Sequence, residues 1–235
     1  MKIMLLGDSV AMQIRPYRES KIEASYITHI ERRYIGAEII NLATPGATLT
    51  ELLTQLFFNG RRSDPDVIIL NIGINDCVPR IWPKKLWSIF HYGVQFRAGW
   101  LPRGLLLVAK GIDRYIQPYL LCLKIGKSWT SISEFERLFQ LLLVLIEKEF
   151  SCKVIILNIP KTNDQVERLL PGTQKAILKV NTIFAKLSNG KRSTYLLDVN
   201  KMASSNPDKF IPEGIHYSAK LHAIIATEIL NLIKS

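Results

Sequence analysis

Short apolar runs alternate with longer amphipathic stretches over most of the chain. Five of the runs place Ile, Val and Leu on consecutive positions, which is typical of parallel strands that are covered on both faces. These runs are Ile3–Leu6, Glu38–Leu42, Val67–Ile72, Val154–Ile159 and Thr194–Val199. Helical periodicity marks the stretches Glu19–Tyr34, Leu49–Phe58, Glu134–Phe150, Thr173–Leu187 and Ala219–Ile233. Because strands and helices alternate, the pattern predicts an α/β fold with a doubly wound parallel sheet.

Two of the predicted helices begin with capping signals. Thr48 stands directly before the second helix, where its side chain can cap the first turn. Ser133 and Glu136 have the spacing of a capping box, which predicts that the third helix begins there.

The composition is that of a globular protein with a sizeable core. Of the 235 residues, 48% are hydrophobic and 22% are charged, which excludes a disordered or collagen-like chain. This length is long for one domain and short for two, so we expect one domain with an elaboration. Three cysteines are too few for a disulfide framework and favour a reducing compartment.

The hydropathy pattern favours a cytoplasmic location. The apolar run that starts at Met1 is broken at Gly7, before it reaches the length of a signal-peptide core. No charge-free apolar stretch approaches the roughly 18 residues that are typical of a membrane span.

Most of the excess positive charge lies in one segment. The formal net charge is +11 at pH 7, and nine bases fall between Pro79 and Lys127 together with a single acid, Asp113. The same segment contains three of the four tryptophans, interleaved with leucines. We therefore interpret residues 79–127 as a basic, aromatic-rich, helical insertion after the third strand. Because the charge is local, it argues against nucleic acid as the partner.

Polar residues follow the first three predicted strands. Ser9 comes after Gly7-Asp8 and is either a nucleophile that needs a base or part of a polar turn. Gly46 precedes the second helix and either presents a backbone N–H to a ligand or is a simple loop glycine. Asn75 follows the third strand and is either a donor to developing negative charge or part of an Asx turn.

A carboxylate and a histidine precede the last predicted helix. Glu213 stands three residues before His216, and Gly214 between them lets the chain turn. Glu213 can then hold one ring nitrogen while the other faces outward, which fixes the tautomer and stabilises the imidazolium. A surface pair is the alternative. No histidine has the partners of a metal-binding motif, so no metal site is expected.

Taken in this order, the four features resemble the SGNH hydrolases, also called the GDSL esterase and lipase superfamily. The matching sequences are Gly7-Asp8-Ser9, Gly46 in an Asn-Leu-x-x-x-Gly setting, Gly73-x-Asn75-Asp76, and a carboxylate-x-x-His at 213–216. The resemblance spans nearly the whole chain apart from residues 79–127. It implies a single domain over residues 1–235 with a three-layer, flavodoxin-like fold. The implied five-stranded parallel sheet has the order 2-1-3-4-5 and is flanked by helices.

The resemblance also implies roles for individual residues. Ser9 is expected to be the nucleophile, and His216 the general base and then the general acid. The backbone N–H groups of Ser9 and Gly46, with the Asn75 side chain, are expected to form the oxyanion hole.

Three acidic residues complete the expected site. Asp8 and Asp76 are expected to contribute to substrate binding. The family pattern has aspartate where this chain has Glu213, whose side chain is one methylene longer. We expect Glu213 to be the third member of the triad, because the nearby Asp208 has the wrong spacing from His216.

The leading hypothesis is a serine esterase that hydrolyses an acyl or acetyl ester of a small molecule, lipid or glycan. This chemistry requires no metal or organic cofactor. An acyltransferase that delivers the acyl group to a sugar or other alcohol would use the same residues. A degenerate hydrolase fold that acts as a binding module through the basic insertion is the non-enzymatic alternative.

The insertion at residues 79–127 has three interpretations. It is a lid or cap over the acyl pocket, a basic surface that contacts an anionic membrane or a polyanion, or a helical subdomain with solvated lysines. Its attachment close to Asn75 favours the lid or cap.

Overall fold

The structure is a computed structural model that describes residues 1–12, 25–60, 63–89 and 100–234. Its centre is a parallel sheet of five strands. They are β1 (Lys2–Gly7), β2 (Glu38–Asn41), β3 (Val67–Asn71), β4 (Lys153–Leu157) and β5 (Thr194–Leu197). The strand order is β2-β1-β3-β4-β5, and every neighbouring pair is parallel. The expected flavodoxin-like sheet is therefore confirmed.

The consecutive apolar positions are explained by burial on both faces of the sheet. All residues of β3 are buried, and Ile3–Leu6 of β1 are 0% exposed. β1 lies inside the sheet, with Leu5 opposite Asn41 of β2 on one side and Ile69 of β3 on the other. Removing this apolar surface from water is the main stabilising contribution to the fold.

Helices and two π-helical turns make up the rest of the regular structure in the described residues. The helices are α1 (Ser9–Met12), α2 (Tyr26–Arg33), α3 (Leu49–Gln55), α4 (Ile74–Cys77), α5 (Lys84–Ser88), α6 (Trp100–Gly111), α7 (Gln117–Cys122), α8 (Ile132–Glu149), α9 (Asp164–Leu169), α10 (Thr173–Ser188), α11 (Val199–Ser204), α12 (Pro207–Phe210) and α13 (Ala219–Lys234). The π-helical turns are Leu56–Gly60 after α3 and Ile112–Ile116 between α6 and α7.

The path of the chain through the sheet separates the helices into two layers. The chain passes from β1 outward to β2 and then back across β1 to β3, so right-handed crossovers place α2 on one face and α3 on the other. α13 packs on α2, whereas α8 contacts both α3 and α10. The carboxyl ends of the strands are left open between these layers.

Most helix boundaries lie close to those that the sequence pattern predicts. The helix predicted at Glu19–Tyr34 is observed as α2 from Tyr26, because Ser25 is its extended N-cap, and residues 19–24 lie outside the described part of the chain. The helix expected to continue to Phe58 changes to a π-helical turn after Gln55. Thr48 is confirmed as the N-cap of α3, and its backbone N–H donates to Glu51 Oε2 at 2.7 Å.

The capping box predicted at Ser133 is wrong. The N-cap of α8 is Ser131, whose side chain accepts a hydrogen bond from the backbone N–H of Glu134 at 3.2 Å. The preceding residue explains this earlier start, because the Thr130 backbone N–H donates to Asp76 O and its hydroxyl donates to Asp76 Oδ1. These bonds fix the chain before Ser131, and the helix begins directly afterwards.

The segment that follows β3 and α4 contains α5, α6 and α7, so the helical insertion is confirmed in the described residues. Arg80 and Lys127 form an isolated antiparallel bridge between its two ends. Within it, the Trp82 indole N–H donates to Asp113 Oδ1 at 2.6 Å. In the parts of the chain that are described, no helix combines the length and the apolar character needed to cross a bilayer.

Candidate active site

Ser9, His216 and Glu213 form a hydrogen-bonded chain at the carboxyl edge of the sheet. Ser9 is the first residue of α1, just after β1, and its Oγ lies 3.3 Å from His216 Nε2. His216 Nδ1 lies 3.1 Å from Glu213 Oε2, and the two side chains are only 13% and 18% exposed. With the ring proton on Nδ1, the histidine donates to Glu213 and leaves Nε2 as the acceptor for the serine hydroxyl.

Gly214 makes the turn between Glu213 and His216 possible. Its φ is +78°, in the left-handed region that favours glycine. A Cβ at this position would lie 2.4 Å from Asn163 Oδ1 and 2.5 Å from Val166 Cγ2. The turn therefore packs tightly against the start of α9, which fixes the carboxylate and the histidine on one side of the loop.

Asn75 connects the segments that carry the three expected oxyanion donors. Its Nδ2 donates to Asp8 Oδ2, next to Ser9, and to Ala47 O, next to Gly46, at 3.2 Å in both cases. The loop after β2 is also held to the end of β1, because the Thr44 N–H donates to Gly7 O. The structure therefore brings together the residues that were predicted from three separate strand ends.

Asp8 and Asp76 are buried behind this group, exposed by only 1% and 0%. Asp8 Oδ1 accepts from the Val10 N–H at 2.9 Å, and the Asp76 carboxylate accepts from Thr130 Oγ1 and the Leu49 N–H. Burial raises the pKa of Asp8 to about 7 and that of Asp76 to about 6. Asp8 therefore holds the Asn75 side chain, and Asp76 holds the chain at Leu49 and Thr130, while the substrate-binding role expected of both stays a prediction.

Arg80 is a residue of the site that the sequence patterns did not single out. Its Nη1 donates to Asn75 O at 3.1 Å and to Val78 O at 3.3 Å, and its guanidinium lies 4.1 Å from the centre of the Trp129 ring. Charge-assisted bonds and aromatic stacking together hold the guanidinium beside Asn75. The available signal was its position as the first base of the insertion, four residues after α4 residue Asp76.

A cleft of about 700 Å³ opens over Ser9 and His216. The insertion lines it with Arg80, Trp87 and Lys110, and α9 lines it with Gln165, Arg168 and Leu169. This places the basic segment beside Ser9. Among the described residues, no cluster of three or more His, Cys, Asp or Glu side chains could hold a metal ion.

The chain was compared with known proteins. No protein-family model matches it, and no curated protein matches it in sequence. Solved structures do match. A lipase/acylhydrolase from Enterococcus faecalis superposes with a TM-score of 0.63 at 18% identity, covering 99% of this chain and 95% of the other. An acetylxylan esterase from Geobacillus stearothermophilus superposes with a TM-score of 0.57 at 16% identity, covering 100% and 94%.

The chain has the α/β fold of these two structures, with a five-stranded parallel sheet in the order β2-β1-β3-β4-β5. Both neighbours cover almost its full length, so the insertion does not obscure the similarity. At these identities the comparison establishes the architecture, and the chemistry has to be argued from the residues at the strand ends.

His222 and Cys77 are both buried in the core. The ring of His222 on α13 is buried, and its Nδ1 accepts from the Tyr26 N–H at 3.2 Å. Burial lowers the pKa of His222 to about 3, so the ring stays neutral. Cys77 is 2% exposed and burial raises the pKa of its thiol, which is typical of an inert core cysteine.

Proposed function

We propose that the protein hydrolyses carboxylic esters through an acyl-enzyme on Ser9. The observation that carries this proposal is the Ser9–His216–Glu213 chain, which lies beneath an open cleft. The structural neighbours are described as a lipase/acylhydrolase and an acetylxylan esterase, which supports ester hydrolysis in general. The acyl-enzyme route is supported by the order of the three groups, because it matches nucleophile, base and orienting acid.

In the first half of the reaction, His216 Nε2 removes the Ser9 proton as Oγ attacks the ester carbonyl. The resulting tetrahedral oxyanion collapses, the C–O bond to the alcohol breaks, and His216 returns the proton to the leaving alkoxide. Water then attacks the acyl-serine with His216 again as the base, which releases a carboxylic acid and restores Ser9. Glu213 accepts from Nδ1 throughout and stabilises the imidazolium that forms in each half.

The oxyanion is expected to be held by the backbone N–H groups of Ser9 and Gly46 and by Asn75 Nδ2. Each such donor lowers the barrier by about 3 kcal/mol. In the resting site, Asn75 Nδ2 donates to Asp8 and Ala47. It can stabilise the oxyanion only if one of these two bonds lengthens or is shared when the charge develops. Arg80 Nη2 donates to Asn75 Oδ1 at 3.5 Å, which limits how far the amide can move.

The test compares the wild type with Ser9→Ala on an activated acetyl ester. Without the nucleophile we expect kcat to fall by more than about 10⁴-fold. A fluorophosphonate probe should label the wild type at Ser9 and leave Ser9→Ala unlabelled. The control is Ser204→Ala, which removes an exposed hydroxyl that bonds only to a helix carbonyl, Lys201 O. Equal turnover by wild type and Ser9→Ala would reject the assignment.

We propose in addition that the insertion docks on the surface of an anionic membrane. The helical segment from α6 to α7 has an inner stripe that is buried, including Ala109 and Leu121. Large apolar side chains of the same segment are at least half exposed: Leu105, Leu107, Val108, Tyr115, Tyr119 and Leu123. An exposed apolar surface of this extent is typical of an interaction site.

Charge complementarity favours an anionic bilayer as the occupant. Lys110, Arg114, Lys124 and Lys127 are exposed along the same segment. The only acid between positions 100 and 127 is Asp113, and its carboxylate accepts from the Trp82 indole. An exposed apolar surface flanked by bases fits a membrane in which acyl chains lie beneath anionic headgroups.

Co-sedimentation with phosphatidylcholine vesicles, with and without phosphatidylglycerol, tests this docking. We expect binding only to the anionic vesicles, and a loss of about tenfold for each of Leu105→Ser and Tyr119→Ser, because each removes buried apolar area. Leu178→Ser is the matched control, since this leucine on α10 is 67% exposed outside the insertion. Absence of vesicle binding by the wild type, or a dimer in solution that these two variants dissociate, would contradict the proposal.

A further inference from the structure

The cleft above Ser9 has an unequal distribution of charge. Among the described residues, four cationic side chains from the insertion and α9 line it: Arg80, Lys110, Arg114 and Arg168. In the same described part of the lining, Asp113 is the one acidic residue. Cations from segments that are far apart in the sequence therefore converge on the space that a substrate must occupy.

Three of these cations are available to a ligand. Lys110, Arg114 and Arg168 are exposed, and none of them lies within ion-pair distance of a carboxylate among the described residues. Arg80 is held by Asn75 O, Val78 O and the Trp129 ring, so its charge stays fixed at the base of the cleft. The Asp113 carboxylate accepts the Trp82 indole N–H at 2.6 Å.

A cleft with walls of low dielectric constant concentrates the field of such charges and raises the local concentration of anions. Arginine side chains are suited to carboxylate, sulfate or phosphate groups, because the planar guanidinium can donate two parallel hydrogen bonds. The same cleft contains Ser9 and His216, so the anion and the ester must belong to one molecule.

We infer that the substrate is an ester that also carries an anionic group, which the cations of the insertion and α9 bind while Ser9 attacks the carbonyl. This inference rests on the proposed esterase function. It assigns the insertion a part in substrate selection and Arg168 a part in binding the substrate anion.

The test uses two nearly isosteric acetyl esters, 4-acetoxybenzoate and 4-acetoxybenzamide, which differ mainly in charge. We expect kcat/KM for the carboxylate to exceed that for the amide by about tenfold or more at low salt. The ratio should fall toward one at high salt, because the screening length drops from about 10 Å at 0.1 M to about 3 Å at 1 M. 4-Acetoxybenzenesulfonate and its sulfonamide form a second pair, which separates carboxylate preference from preference for any anion.

Variants identify the cations responsible. Arg168→Gln and Arg114→Gln should each lower the ratio of the two kcat/KM values several-fold, and the double variant should bring it close to one. Lys175→Gln is the matched control, because it removes an exposed cation on α10 that does not line the cleft. A ratio near one in the wild type, or an unchanged ratio in the double variant, would overturn the inference.

Binding to Ser9→Ala separates this inference from the proposed function. This variant keeps the cleft, and calorimetry then measures the affinity for the uncleaved 4-acetoxybenzoate and 4-acetoxybenzamide. If the variant binds 4-acetoxybenzoate more tightly than 4-acetoxybenzamide but the wild type shows no Ser9-dependent hydrolysis, the result would support the anion site and reject the esterase. Hydrolysis that depends on Ser9 without any preference in rate or binding would support the esterase and reject the anion site.

Discussion

Glu213 carries its carboxylate one methylene further from the backbone than an aspartate does. Even so, its Oε2 lies 3.1 Å from His216 Nδ1, because the loop turns at Gly214 against α9. The longer side chain is therefore accommodated by the path of the backbone. The orienting acid could be predicted from its spacing to the histidine, whereas the contact with Asn163 and Val166 that positions it could not.

Glu213→Gln should lower kcat by about 10⁴-fold, because an amide that donates to Nδ1 stabilises the wrong tautomer and cannot stabilise the imidazolium. Glu213→Asp should lose less activity, since the carboxylate is retained. The measurement is kcat for an activated acetyl ester over a range of pH. Asp208→Asn removes the other nearby acid, which is exposed, and should leave kcat unchanged. A large loss of kcat in Asp208→Asn with no loss in Glu213→Gln would assign the orienting role to Asp208.

The position of the Arg80 side chain could not be predicted from the local sequence. Ser9, Gly46, Asn75 and His216 were predictable because each lies at the carboxyl end of a strand or before a helix, and in a parallel sheet these ends meet. The guanidinium of Arg80 is held in place by the Trp129 ring, which lies just beyond the end of the insertion. Such a contact depends on tertiary packing and leaves no periodic signal in the sequence.

The turn from β3 into α4 determines where Asn75 is placed. Gly73 is the N-cap of α4 with φ +115°, and a Cβ there would lie 3.1 Å from Ile159 Cδ1 and 3.3 Å from Phe135 Cζ. Gly172, the N-cap of α10, also has a positive φ of +92°, but a Cβ there would meet nothing within 4 Å. A comparison of substitutions at the two glycines therefore separates the cost of backbone strain, which both share, from the cost of crowding, which arises only at Gly73.

Gly73→Ala should lower the free energy of unfolding by more than Gly172→Ala does. Both substitutions put an L side chain at positive φ, which costs about 1–2 kcal/mol. Crowding against the core adds about 1–3 kcal/mol at position 73 only. Urea unfolding of the two variants measures the difference in the free energy of unfolding. The rate of hydrolysis of an activated ester should also fall in Gly73→Ala, because Asn75 shifts. If Gly73→Ala and Gly172→Ala lose the same free energy of unfolding, the core accommodates the methyl group at position 73 without an energetic cost.

At the scale of elements, long periodic segments were predictable and short ones were not. The five strands and the helices α3, α8, α10 and α13 follow from apolar spacing that extends over a strand or over several helical turns. α4 has four residues, too few to show a period, yet it carries Asn75. The start of α8 was wrong by two residues because Asp76, distant in the sequence, fixes Thr130.

For the whole molecule, the order of strands and helices was sufficient to predict the architecture. The shape of the cleft was not predictable, since it depends on how the insertion folds back on itself. Two bonds between its halves set that shape: Trp82 Nε1 donates to Asp113, and the Ile81 N–H donates to Gln117 Oε1. The net charge of +11 could be related to a site only from the structure, which places some of the basic side chains in the cleft beside Ser9.

The bridge between Arg80 and Lys127 has a consequence for how this protein can diversify. Each residue donates its backbone N–H to the carbonyl of the other, at 3.2 and 3.0 Å, as the closing pair of a two-residue hairpin does. The chain leaves and re-enters the α/β core at nearly one point, so segments of any length can be exchanged there without moving the sheet. The segment between Arg80 and Lys127, which lines the cleft, can therefore be exchanged during evolution while Ser9 and His216 stay in place.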